Sequence, residues 1–273
     1  MTETEEKTSK TTVAELGATL PLGVKDPNGK LHRSFEVRPW RLKEEKELGQ
    51  LQKSIDSNNM ALYVQNVVGY MLTRIGEFDF TDMAKSAKDA LISQMYLGDV
   101  WYIYLWTRIE AMGEKITLTY GCPHCRKKNL STTADLTTAE VVCVADPDSF
   151  TFNYKLKRPI KIRNKEATEL LLGPVFWNSI ATSESDNRGA VKADVLVSSI
   201  RGIPGLDDGK QIVMTEHDIL ELTKRDIEGA LDAVNQNAVG PIMVVEMPCV
   251  ACGSDVEIPI DWNYNSFFEA SSD

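Results

Sequence analysis

The chain has 273 residues, with 40 acidic against 30 basic side chains and 42% hydrophobic residues. That composition excludes global disorder and leaves room for one large domain or two small ones. The net charge of −10 repels a phosphate backbone, and the longest strongly apolar run, Val100 to Trp106, is far short of the about 20 residues that span a membrane.

The start, Met1-Thr-Glu-Thr-Glu-Glu, lacks the basic and apolar parts of a secretory signal, so the expected setting is a reducing cytosol or a particle assembled there. Residues 1–18 carry no periodic apolar pattern and read as a flexible arm. Leu20, Leu22 and Val24 then alternate up to the turn Asp26-Pro27-Asn28-Gly29, and Phe35 and Val37 alternate beyond it, which predicts a hairpin. Pro39 suits the first turn of a helix running on through Leu42 to Ile55. A second helix is predicted over 59–73, and a third after Thr81 or Asp82 as caps, with Met83, Ala87, Leu91 and Met95 spaced by four. Asp99 would cap a fourth, which carries the aromatic run and stops at Gly113; its rings belong in the core.

From Lys115 the period becomes two. Ile116, Leu118 and Tyr120 alternate into Cys122-Pro-His-Cys125, and a polar return leads to Leu136. The layout recurs late in the chain, where Ile242, Val244 and Val245 lead to Cys249-Val-Ala-Cys252 and Val256, Ile258 and Ile260 alternate away from it. Between the copies, Phe152, Tyr154, Leu156, Ile160 and Ile162 share one parity and Lys155, Lys157, Lys161 and Arg163 the other, with Pro159 marking a bend or an edge strand. The basic stretch Lys155 to Lys165 reads as charge guarding such an edge. Helices are predicted over 165–172, 175–182 and 189–201, turns at Ile203-Pro204-Gly205 and Asp208-Gly209, and N-caps at Thr215 and Thr223, the latter facing Asp226 as in a capping box.

A Cys-x-x-Cys at a hairpin tip aims two sulfurs at one point, and two such tips supply the four corners of a tetrahedron. Cys122, Cys125, Cys249 and Cys252 are therefore the candidate ligands of one structural zinc, although 123 residues separate Cys125 from Cys249. Four thiolates leave no open coordination position for catalysis. Arg126, Lys127 and Lys128 follow the first pair and would offset the charge of −2 that four thiolates leave around Zn²⁺. Cys143 stands alone and reads as a small buried hydrophobe. Only three histidines occur, His32, His124 and His217, and no metalloprotease, nucleophile-elbow or phosphate-loop motif is present, so no enzyme is expected.

The predicted fold class is α+β: a mostly helical body with an N-terminal β-hairpin and a split zinc-ribbon-like β module made by the two distant Cys-x-x-Cys hairpins. The expected organisation is an arm over 1–18, a hairpin and helical region over 19–113, the ribbon from 114–136 with 240–265, a strand and helical insert over 137–239, and a tail over 266–273.

The order of these features resembles a known family. Gly98-Asp99-Val-Trp-Tyr-Ile-Tyr-Leu-Trp-Thr-Arg108, then Gly113-Glu114 and the strand into Cys122-Pro-His-Cys125, is similar to the baseplate hub assembly proteins of contractile-tailed, T-even-type bacteriophages. Leu20-Pro-Leu-Gly23, Val37-Arg38-Pro39, Leu222-Thr223-Lys-Arg225-Asp226, Gly240, Cys249-x-x-Cys252-Gly253 and Phe267-Phe268 extend the likeness over about residues 19–268, with Val-Ala in the second knuckle where Pro-x is common. The resemblance implies a non-enzymatic virion protein at the tail baseplate, assembled in the host cytoplasm, with hub, tail-tube or tape-measure proteins as partners. It implies neither a membrane nor a small-molecule substrate. A tail-assembly chaperone that leaves before maturation is the alternative, and a zinc-ribbon nucleic-acid regulator a second one that the net charge disfavours.

Overall fold

Regular structure begins earlier than the apolar pattern does. In the computed structural model, which describes residues 8–54, 59–162, 165–181, 188–205, 214 and 216–261, Thr8–Thr12 form strand β1 and Val13–Leu16 the helical turn α1. Residues 8–18 are thus part of the fold and not of an arm; residues 1–7 lie outside the described residues. The polar strand β1 is held through its backbone, paired antiparallel with β8 (Glu140–Val144), and Thr12 and Glu15 cap α1 reciprocally.

The predicted hairpin is β2 (Thr19–Lys25) and β3 (Leu31–Val37), which continues through β4 (Leu72–Ile75) and β5 (Phe78–Asp79) as a four-stranded antiparallel sheet. Helices α2 (Leu42–Ser54) and α3 (Met60–Met71) fill the β3–β4 connection. Pro39 precedes α2 by three residues instead of opening it, because Arg38 still donates its N–H to Met71 of the neighbouring segment, at 2.8 Å. Helix α4 (Lys85–Ser93) begins after Ala84, so Thr81 and Asp82 do not cap it; Thr81 is held by the Asp79 carboxylate instead.

Helix α5 (Leu97–Met112) is the centre of the molecule. Val100, Tyr102, Ile103, Tyr104 and Leu105 are fully buried, and Arg108 is buried too, as suits a helix that is apolar almost all round. Each such side chain contributes about 1.5–3 kcal/mol by leaving water. Asp99 does not cap this helix, since Tyr96 holds the N-cap position. Its carboxylate lies in the first turn and accepts the backbone N–H groups of Leu22 and Gly23 at 2.8 and 2.9 Å, tying β2 to α5. Complete burial pushes that carboxyl up to about 7 despite the two donors.

Both cysteine hairpins hang from α5. At its C-terminal end the Arg108 guanidinium donates to the carbonyls of Gly113 and Lys115, fixing the entry to β6 (Lys115–Tyr120), which pairs with β7 (Leu130–Asp135). At its N-terminal end Gly98 meets Gly240 backbone to backbone; a Cβ on Gly98 would lie 2.0 Å from the Val239 carbonyl oxygen. Gly240 opens β12 (Gly240–Pro241), which pairs with β8, and the chain runs on into the hairpin β13 (Val244–Pro248) and β14 (Asp255–Pro259). Residues 240–241 therefore serve the β1-β8-β12 sheet and not the hairpin.

The insert forms a second buried cluster. Strands β9 (Phe152–Ile162), β10 (Lys165–Leu172) and β11 (Ile200–Gly202) make a sheet in the order β11-β10-β9, with helices α7 (Arg188–Ser199), α8 (Glu216–Leu220) and α9 (Lys224–Gln236) around it, while α6 (Asn178–Ala181) packs Ile180 and Ala181 against the main cluster. The segment 165–172 is a strand and not the predicted helix. A register shift between Ala167 and Glu169 moves burial from odd to even positions, so Ala167, Leu170 and Leu172 mimic helical spacing. Within the described part of the predicted 175–182 helix, 178–181 is helical and 175–177 is not. Pro159 lies on β9, an edge strand in this sheet, with Lys155, Lys157, Arg158 and Lys161 exposed along it. Thr223 caps α9 as expected, and the fully buried Asp226 accepts the N–H of Lys157, joining α9 to β9 where the ladder is irregular. Arg163, Asp208-Gly209, Thr215 and the 266–273 tail lie outside the described residues. With 37% helix and 34% strand the body is mixed rather than mostly helical.

Candidate metal centre

The two cysteine tips share one hydrogen-bond plan. In the first, Cys122 donates its N–H to the Lys127 carbonyl (3.0 Å), Arg126 donates to the Cys122 carbonyl (3.0 Å), and the Cys125 N–H points to Cys122 Sγ (3.5 Å). In the second, Cys249 donates to Ser254 (2.8 Å), Gly253 donates to the Cys249 carbonyl (2.8 Å), and the Ala251 N–H points to Cys249 Sγ (3.4 Å). Both turns close through a residue with positive φ four places after the first cysteine, Arg126 at 59° and Gly253 at 74°. The motif that reads Cys-x-x-Cys in sequence thus folds into the same knuckle twice.

The hairpins face each other. Cys122, Cys249, Val256, Ile258 and Ile260 bury with Ile116, Leu118 and Tyr120 in the main core cluster, so apolar contact apposes the tips. The four sulfurs of Cys122, Cys125, Cys249 and Cys252 all lie within 4.8 Å of one another, and Cys122 Sγ is 3.8 Å from Cys252 Sγ. A tetrahedron with metal–sulfur bonds of about 2.3 Å has edges of about 3.8 Å, so that pair is already at the spacing a bound zinc requires. The distance is also well beyond an S–S bond of about 2.05 Å, and every described cysteine is a free thiol.

The electrostatics ask for a cation. Amide donors hold the Cys249 and Cys252 thiols below their ordinary range, through the Ala251 and Ser254 N–H groups respectively. Cys122, although the Cys125 amide favours its thiolate, is pushed up by burial and by its thiol neighbours. Four sulfurs this close cannot all ionise without a positive charge among them, which a divalent ion would supply. Arg126, Lys127 and Lys128 are exposed beside the first knuckle, Asp255 and Glu257 beside the second. Among the described residues no ion pair joins these two sets; one link between the knuckles is His124 Nε2 to the Asp255 carbonyl, 3.2 Å.

Cys143 lies apart in β8, buried as expected, and burial pushes its thiol up. His32 is buried beside Asp26 (3.4 Å) and edge-on to Phe78, a packed core histidine, and His217 is exposed. A cleft of 460 Å³ against Tyr96 and Phe176 has Lys25 at its rim, bound by Asp146 and Asp148 at 2.7 and 2.6 Å. Within it the Tyr96 hydroxyl donates to the Asp148 carboxylate at 3.2 Å. Sequence reasoning missed Tyr120 as part of the centre. The signal was present, since a hydroxyl replaced the aliphatic group on a strand otherwise alternating Ile, Leu.

The family model for the T4 bacteriophage base plate protein matches residues 15–209, more than two thirds of the chain. The chain belongs to this family. It is a structural component of the phage baseplate, in the virion tail, where other tail proteins surround it. The match includes the first knuckle and ends before the second. No curated protein and no solved structure matches the chain. No described helix is long and apolar enough to cross a membrane.

Proposed function

We propose that this baseplate protein is a non-enzymatic scaffold whose one structural zinc, held by Cys122, Cys125, Cys249 and Cys252, clips the two ends of a long insert into a split zinc-ribbon-like module. The observation that carries the reading is the quartet of sulfurs within 4.8 Å, delivered by two knuckles of one hydrogen-bond plan. All four positions are thiols, which favours zinc over magnesium or calcium and leaves no place for a reacting water. The charge of −10 and the acidic second knuckle favour protein neighbours over nucleic acid.

Within the baseplate, the proposed position is the hub, tail-tube or tape-measure region; the order of motifs shared with hub assembly proteins supports it. Mass spectrometry and cryo-EM of purified particles test this: the chain is expected at the baseplate centre. Its presence only in assembly intermediates from infected cells would make it a tail-assembly chaperone instead. Metal analysis of the purified chain is expected to give about one zinc, the number a single tetrathiolate site holds.

A further inference from the structure

Tyr120 ends β6, two residues before Cys122, yet its hydroxyl works on the opposite knuckle. It accepts the Val250 N–H at 3.0 Å, against the Cys249 sulfur of that knuckle. The group is 9% exposed, so water competes poorly for it. On the far side of the centre His124, in the tip of the first knuckle, meets the Asp255 carbonyl of the second. Two cross-links therefore run from the first hairpin to the second. They differ in one respect: His124 meets backbone at Asp255, whereas Tyr120 meets it against the Cys249 sulfur.

We propose that Tyr120 is a positioning residue of the metal centre, which fixes the second knuckle against the first through Val250 and so sets where the Cys249 sulfur sits. This rests on the zinc reading above. The physical reason is preorganisation: a ligand pair carried on a chain segment 123 residues away must be brought to the metal at an entropic cost, and a side chain that holds it in place removes part of that cost in advance. Within each knuckle a backbone amide already meets the first sulfur, Cys125 on Cys122 and Ala251 on Cys249. The Tyr120 hydroxyl is different in kind, because it couples the two halves of the site.

The test uses the full chain with Tyr120→Phe, which keeps the ring in the core and removes the hydroxyl; the Val250 N–H, on an exposed residue, is then left to water. Zinc affinity, measured by competition with a chromogenic chelator, is expected to fall about 10–100-fold while the stoichiometry stays at one. In the cobalt-substituted protein the sulfur-to-cobalt charge-transfer band is expected to shift, as the Cys249 sulfur is no longer held in place. His124→Ala is expected to weaken binding without moving that band, which separates holding the knuckle from placing the Cys249 sulfur. Affinity within twofold of the unmodified chain, with an unmoved band, would overturn the role of Tyr120 and leave the zinc site standing. An unmodified chain that binds no zinc would overturn the site itself. Should Tyr120→Phe not fold, hydrogen exchange at the Val250 amide of the zinc-loaded unmodified chain decides: protection is expected, and exchange at the rate of an exposed loop amide overturns the proposal.

Discussion

The two knuckles are built alike and made of different residues. Each runs strand, Cys-x-x-Cys, left-handed residue, strand, with matching amide bonds to the first sulfur and the first carbonyl. Yet the first carries Arg126 at the left-handed position with Lys127 and Lys128 beside it, while the second has Gly253 there and carboxylates. The first lies inside the segment shared with the base plate family and the second beyond it. What has to be alike is the backbone path and the two sulfurs; the rest of each turn is open to other demands. The glycine in the second knuckle relaxes a backbone that the arginine in the first holds under mild strain.

That comparison can be broken most severely at the sulfurs. Cys249→Ala and Cys122→Ala should be equally damaging, each taking zinc from about one per chain to none, with loss of the ribbon, because structural zinc binding of about 10–16 kcal/mol is also folding free energy. Metal content and thermal melting of the two variants check this; a Cys249→Ala protein that keeps its zinc would show that the knuckles do not share a site. Next in size is Gly253→Ala. No atom crowds a Cβ there, so the cost is conformational alone, about 1–2 kcal/mol for a side chain at φ 74°. Denaturant titration of the zinc-loaded chain measures it. The mirror experiment, Arg126→Gly, should stabilise by about 0.5 kcal/mol, the left-handed strain relieved less the extra freedom glycine brings to the unfolded chain. Opposite signs for these two substitutions sharpen the comparison; equal signs would end it. Smallest of all, replacing exposed Lys127 and Lys128 together with Gln should change stability by less than about 0.5 kcal/mol, and by less still at high salt.

The knuckles were legible in the sequence because their chemistry needs particular residues at particular spacing. The largely apolar α5 was legible through its length, since a run extending to Met112 before Gly113 is too long for a buried strand. The misreadings have physical causes. At 165–172 a bulge slips the strand by one residue, and the spacing from Ala167 to Leu170 becomes that of a helix. At Thr8–Thr12 the strand is held by ladder bonds to β8 and buries little, so hydrophobic pattern is silent about it. Asp99 reads as a cap because it is an acid near a helix start; that its carboxylate serves two amides of a strand 76 and 77 residues earlier is a tertiary fact. Tyr120 was hidden likewise, since its partner Val250 lies 130 residues further on.

The order of the chain sets a schedule for the centre. Cys122 and Cys125 leave the ribosome well over a hundred residues before Cys249 and Cys252 do. Through that interval the nascent protein has two of the four cysteines and no quartet, while α5, the four-stranded sheet and the insert have all been made. Under the proposed zinc reading, the shell closes only once the insert has turned back and β12 has set Gly240 against Gly98. Zinc in the centre would then be a chemical record that synthesis has passed Cys252 and that the insert has brought its ends together.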